Sequence, residues 1–114
     1  RFLRQIKNLN EKFIVVLGYN QITRKIIIKA LEQGLRTVVI EKDRIKINNL
    51  ILENFTPTVP VLYSENYSVK VLENAGLKKR NCKAIVSLFE DDALNLRITL
   101  IAKALNRKMA VWDR

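Results

Sequence analysis

Three groups of residues have the types and spacing to do chemistry. The first is the run Gly18-Tyr19-Asn20-Gln21-Ile22-Thr23 with Arg24 behind it, set between a β-branched run and a stretch of helical period. Such a turn can seat a phosphate, because glycine permits the reversal, the helix start offers free N–H groups and Arg24 adds a cation. Its frame matches G-x-G-x-x-G at the first position only. The pair Glu41-Lys42 ends the second β-branched run, and Glu41 falls 23 residues after Gly18, about where an acid meets ribose hydroxyls in dinucleotide sites. The alternative is a plain chain reversal beside a solvated strand end. The second group, Glu90-Asp91-Asp92, is either a divalent-cation ligand set or, as three consecutive acids more often are, a helix cap. The third, Lys78-Lys79-Arg80 with Lys83, could face phosphate or lipid headgroups, or be a solvated loop. Cys82 lies within it, where cations could lower its pKa, and reads best as an incidental thiol.

Composition narrows the chemistry further. The 114 residues hold no histidine, which removes Ser-His-Asp and Cys-His catalysis and every His-based metal site. One cysteine excludes an internal disulfide framework and fits a reducing, cytosolic setting. With 21 Lys+Arg against 11 Asp+Glu the formal net charge is +10, which raises nucleic acid or an acidic membrane as partners. No helix-turn-helix, RNA-binding aromatic motif or zinc-finger spacing accompanies that charge, which argues against nucleic acid. A spanning helix needs roughly 18 consecutive apolar residues, and no run approaches that.

The elements that must position these groups follow from periodicity. Phe13–Leu17, Thr37–Ile40, Val59–Tyr63 and Ala84–Leu88 read as strands buried on both faces, with Met109–Trp112 as a fifth. Between them Ile22–Gln33, Arg44–Asn54, Val69–Ala75 and Asp92–Asn106 read as helices, the first with Ile22, Ile26, Ala30 and Gln33 on one side and Ile27 and Leu31 beside them. The alternation predicts one α/β domain, a doubly wound Rossmann-like parallel sheet of five strands with helices on both faces. Residues 1–12 are expected to be a basic linker and 13–114 the domain. A phosphoacceptor receiver domain of this size is excluded, because Gly18-Tyr19 and Tyr63-Ser64 stand where it needs acids.

Four stretches carry a family resemblance: FIVVLGYNQITRKIIIKALEQG, TVVIEKD, SENYSVKVLENAGL and KAIVSLFEDDALNLRITLIAKALN. Together, from Phe13 to Asn106, they resemble the regulator-of-potassium-conductance family (RCK or KTN, with TrkA-N-like Rossmann domains), the third matching its G-D-A-T-x-x-x-V-L-x-x-A-G-I segment. The resemblance implies a nucleotide cradle on Gly18 and the turn after it, Glu41 toward the adenosine ribose, and Glu65 with Asn66 near adenine. Ser87, Leu88 and Phe89 would then form the fourth-strand edge of the crevice. Asn20 and Thr23 replace the second and third glycines, Gln21 stands where Arg is frequent, and Ser64 replaces the Gly of G-D-A-T. NAD(H) or an adenine nucleotide is the implied ligand, on a weakened glycine motif. The sequence reaches the fifth strand and is not expected to include the family's C-terminal ligand-binding lobe.

The resemblance also implies partners. In the last helix Leu94, Ile98, Ile101 and Leu105 form one stripe, and Leu96, Leu100 and Ala104 a second that needs its own cover. Pairing of two copies, or a larger ring, through the 92–106 helix is expected, with a pore or transporter subunit in the membrane as the further partner. The expected function is a non-enzymatic, cytosolic ligand-sensing regulatory domain of a potassium channel or transport system, at the inner face of the cell membrane. An NAD(P)-dependent oxidoreductase fragment and a structural subunit with an empty crevice are the alternatives.

Overall fold

Strand β1 (Phe13–Leu17) is buried along its whole length, and it lies at the centre of the sheet. A computed structural model describes residues 1–114. Around β1 stand β2 (Arg36–Glu41), β3 (Val61–Tyr63), β4 (Cys82–Ser87) and β5 (Ala110–Asp113), in the order β3-β2-β1-β4-β5. All four pairings are parallel, with Leu17 opposite Ile40 on one side and Ser87 on the other. The strand order reverses between β1 and β4, so the ligand crevice of a doubly wound sheet belongs beyond Leu17 and Ser87. The predicted fold class therefore stands.

Side chains alternate between two cores, as the strand period demands. On one face Ile14, Val16, Val39 and Val86 pack against α2 (Gln21–Glu32) and α3 (Arg44–Glu53) through Ile27, Ala30 and Leu50. On the other Phe13, Val15, Leu17, Ile40 and Ile85 meet α4 (Val69–Asn74) and α5 (Asp92–Leu105) through Leu72, Ile98 and Ala102. Burial of these side chains, worth about 1.5–3 kcal/mol each, fixes strand register, because a one-residue slip would exchange the faces.

Two expectations are corrected. Residues 1–12 do not form a plain linker: α1 (Phe2–Lys7) forms there, Ile6 and Leu9 are buried, and the segment is stapled to the domain. Lys79 Nζ donates to the carbonyls of Ile6 (2.6 Å), Lys7 (3.2 Å) and Leu9 (2.8 Å), and Asn81 Nδ2 to those of Leu9 and Glu11. Ile6 and Lys7 end α1, where carbonyls lack α-helical partners, and Lys79 bonds both; Leu9 and Glu11 lie just beyond the helix. The second correction concerns α2, whose inward face is Thr23, Ile27 and Ala30, with Ile22 63% exposed. Apolar count alone placed Ile22 inward; the cap described below turns Thr23 in instead. No helix is long and apolar enough to cross a membrane.

Candidate functional site

The turn after β1 is held by its own side chains. Gly18 adopts φ +84°, a left-handed conformation that glycine takes without strain. Asn20 then caps α2: its Oδ1 accepts from the N–H groups of Ile22 and Thr23, each at 2.9 Å. Thr23 completes a capping box, accepting from Asn20 N and donating to the carbonyl of Gly18, each at 2.9 Å. The helix start therefore has two of its free donors satisfied internally.

Glu41 closes the crevice from β2. It is 3% exposed, and its Oε1 accepts from Tyr19 N at 2.6 Å while Oε2 accepts from Lys42 N and Asp43 N at 2.8 Å. A carboxylate buried this deeply needs such partners, since burying one without them costs several kcal/mol. Lys42 contributes this backbone N–H, and its side chain is exposed. Glu41 is thus the strand-end acid of the sequence reading, and it ties β2 to the glycine turn rather than standing solvated.

The β4 edge is built as tightly. Ser87 Oγ donates to Asn95 Oδ1 at 2.7 Å, and the same oxygen accepts from Phe89 N at 3.2 Å. Asn95 Nδ2 donates back to the Phe89 carbonyl at 2.7 Å. Asn95, buried on α5, escaped the sequence reading as a site residue, although it lies within the fourth stretch that carries the family resemblance. Two of its three bonds hold Phe89 over Gly18: a Cβ added there would lie 3.6 Å from the Phe89 ring and 4.0 Å from Glu41 Oε1. Phe89 also packs against Tyr67, with centroids 5.1 Å apart. Leu88 is half-buried and joins Asn20, Ile22 and Phe89 around a hollow of about 390 Å³.

Other expected site residues stand apart. Glu65 and Asn66 are exposed in the turn after β3, where Asn66 Oδ1 accepts from Ser68 N. Asp91 caps α5 through Leu94 N, the bland role foreseen for the acidic run. Cys82 is buried as the first residue of β4, and burial pushes its pKa up to about 12, outweighing the lowering by Lys83.

Beside the turn lies a groove of about 760 Å³ between α2 and α3, lined by Tyr19, Asn20, Gln21, Arg24, Lys46, Asn49, Leu52 and Glu53. Gln21 is exposed at its rim. Arg24 and Glu53 form a two-pronged ion pair at 2.8 and 3.0 Å, which lowers the Glu53 pKa. Burial, and then the Glu53 charge, raise the pKa of Tyr19. The hydroxyls of Tyr19 and Tyr67 are buried without a hydrogen-bond partner. Burial pushes the Tyr67 pKa up to about 12, with the Glu41 charge as the second cause.

This arrangement tests the ligand expectation. A pyrophosphate does not fit as the side chains stand, because Asn20 occupies the α2 donors and Phe89 covers Gly18. Glu41 has the acceptor chemistry that sugar hydroxyls need, but both of its oxygens are taken by the N–H groups of Tyr19, Lys42 and Asp43.

The sequence profile of the TrkA-N domain matches residues 14–114. The chain belongs to the TrkA-N domain family. No curated protein matches it in sequence. Among solved structures, this TrkA-N domain is similar to the TrkA-N domain of the inner membrane protein ybaL from Escherichia coli. The TM-score is 0.77 at 19% identity, over 94% of this chain and 74% of that one. It is also similar to the GsuK channel bound to NAD, with a TM-score of 0.70 at 20% identity, over 93% of this chain. The domain spans 18% of that channel's length. At these identities the likeness establishes the shared fold.

Proposed function

We propose that this TrkA-N domain is a non-enzymatic regulatory module of a potassium channel or transporter, sensing an adenine nucleotide at the carboxyl ends of β1 and β2. The observation that carries the reading is Glu41, an acid buried beneath the glycine turn, whose charge reaches the unpaired Tyr67 hydroxyl. The two would hold ribose hydroxyls, with Arg24 and Lys46 in the adjoining groove for a phosphate. A chain without histidine suits binding rather than acid–base catalysis. The NAD-bound GsuK channel supports a nucleotide at this fold, and its channel context supports a membrane partner.

Regulation follows from the bonds such a ligand exchanges. Glu41 now holds Tyr19 N, so a ligand that takes over part of that carboxylate biases the conformation of the β1–α2 turn. The exposed stripe of α5, with Leu96 at 60% and Leu100 at 63% exposure, would join two copies and pass the bias between them. Cytoplasmic placement at the inner membrane face belongs to the same reading.

A second reading, a structural subunit with a closed crevice, is favoured by the Asn20 cap and by Phe89 over Gly18. A thermal-shift panel with AMP, ADP, ATP, NAD⁺ and NADH separates the two. At a hundredfold excess over Kd a ligand adds about 2.7 kcal/mol, a rise on the order of 10 °C for a domain of this size. The sensor reading expects that rise with a mononucleotide; a flat panel leaves the structural reading.

A further inference from the structure

The charge of the molecule is concentrated at one pole. Because every strand runs the same way, the segments before the strands share one end of the sheet and those after them share the other. Residues 1–12, 33–36, 54–60, 75–83 and 106–109 gather at the amino pole and hold eleven Lys and Arg against a single acid, Glu11. Residues 18–20, 42–43, 64–68, 88–91 and 114 form the turns of the carboxyl pole and hold two cations against four acids. The polarity is fixed by structure: Lys79 and Asn81 bind the α1 segment to the α4–β4 loop, and Asn106 Nδ2 donates to the Leu77 carbonyl at 3.1 Å, joining the α5–β5 loop to the same patch.

We infer that the amino pole is a docking surface for an anionic phospholipid bilayer, and this holds whatever the crevice binds. Arg4, Lys7, Arg80, Lys83, Arg107 and Lys108 are exposed there, while Glu11 is spent on Arg36 at 3.0 Å. The molecule measures 32 × 29 × 26 Å, several times the Debye length of about 8 Å at physiological salt. A surface against the amino pole therefore experiences that pole and little of the acidic one. Charge alone would serve nucleic acid equally, but Leu3 decides between them. It is 58% exposed between Arg1 and Arg4, an apolar side chain amid cations, which a headgroup–acyl boundary accommodates and a phosphate backbone does not. The exposed aromatics that could stack on bases, Tyr63 and Trp112, lie on β3 and β5, away from this pole. Docked this way, the crevice faces away from the bilayer.

The test is vesicle co-sedimentation of the 114-residue chain at about 0.1 M salt. One set of vesicles is phosphatidylcholine alone, the other about one part phosphatidylglycerol to two of phosphatidylcholine. Binding is expected only to the anionic set. Each cation at such a surface contributes about fivefold in affinity, so Arg80→Gln with Arg107→Gln should weaken binding about 25-fold. Lys25→Gln with Lys70→Gln, the same charge change elsewhere, should cost far less. Leu3→Asn should weaken vesicle binding several-fold and leave retention by RNA unchanged. Equal loss in both double variants, no preference for anionic vesicles, or tighter retention by RNA than by vesicles at the same salt would overturn the inference.

Discussion

At the residue scale, the site is defined by a few side chains that replace what glycine would have left open. Asn20 supplies its own acceptor to the α2 donors, so Asn20→Gly should release them to a phosphate at a stability loss of only a few tenths of a kcal/mol. The expected outcome is tighter NAD⁺ binding by calorimetry than the unsubstituted chain shows. Asn95→Ala should cost about 2–3 kcal/mol in urea unfolding, since it strands the Ser87 hydroxyl and both polar groups of Phe89. Glycine itself matters most at Gly76, where φ is +99° and an added Cβ would lie 2.8 Å from Phe13 Cζ and 3.0 Å from Ile6 Cγ2. Gly76→Ala should therefore cost about 3 kcal/mol. Gly34→Ala, at φ +82° with open space around it, should cost about 1 kcal/mol. Gly18 and Glu41 were legible in the sequence because a turn after a buried strand and an acid 23 residues on have fixed places in a doubly wound sheet. That Glu41 is spent on the backbone was not legible, because it depends on how a side chain folds across a strand gap.

At the element scale, strands were easier to read than short helices. Continuous β-branched runs such as FIVVL and TVVI have one stable destination, a strand buried on both faces. The six-residue α1 has no such pattern, and its partners lie some 70 residues away on Lys79 and Asn81. The start of β4 was missed for a related reason: Lys83 made Cys82 look like loop, yet the strand begins at Cys82 and buries its thiol. Burial raises the pKa of Cys82 from 9.0 to about 12 and that of Tyr67 from 10.0 to about 12. Both groups are held neutral in the fold, so their contribution is complete below pH 9. It is lost as pH rises, because the unfolded chain releases the protons first. Unfolding free energy should fall between about pH 9 and 12, and Cys82→Ala should flatten part of that slope. On α5 the exposed Leu96 and Leu100 make a prediction about assembly: Leu96→Lys with Leu100→Lys should convert any dimer seen by light scattering into a monomer that keeps its fold by circular dichroism.

For the whole molecule, the net charge of +10 first suggested nucleic acid and finally describes a polar object, basic at the strand starts and acidic at the crevice turns. Composition gave the magnitude, and only the parallel sheet showed that the cations of four separated segments meet. The family was legible from the spacing of whole segments from Phe13 to Asn106, and the profile match over residues 14–114 establishes it. The ligand was less so, because the departures at Asn20 and Thr23 change the crevice through bonds that spacing does not reveal. In the proposed function an adenine nucleotide exchanges contacts at the β1–α2 turn. The amide of Tyr19, 2.6 Å from Glu41 Oε1, reports on that exchange directly. In an amide-resolved NMR titration with ADP, Tyr19, Lys42 and Asp43 should shift together and saturate, with β5 unmoved. Saturating ADP that leaves the Tyr19 amide where it began would contradict it.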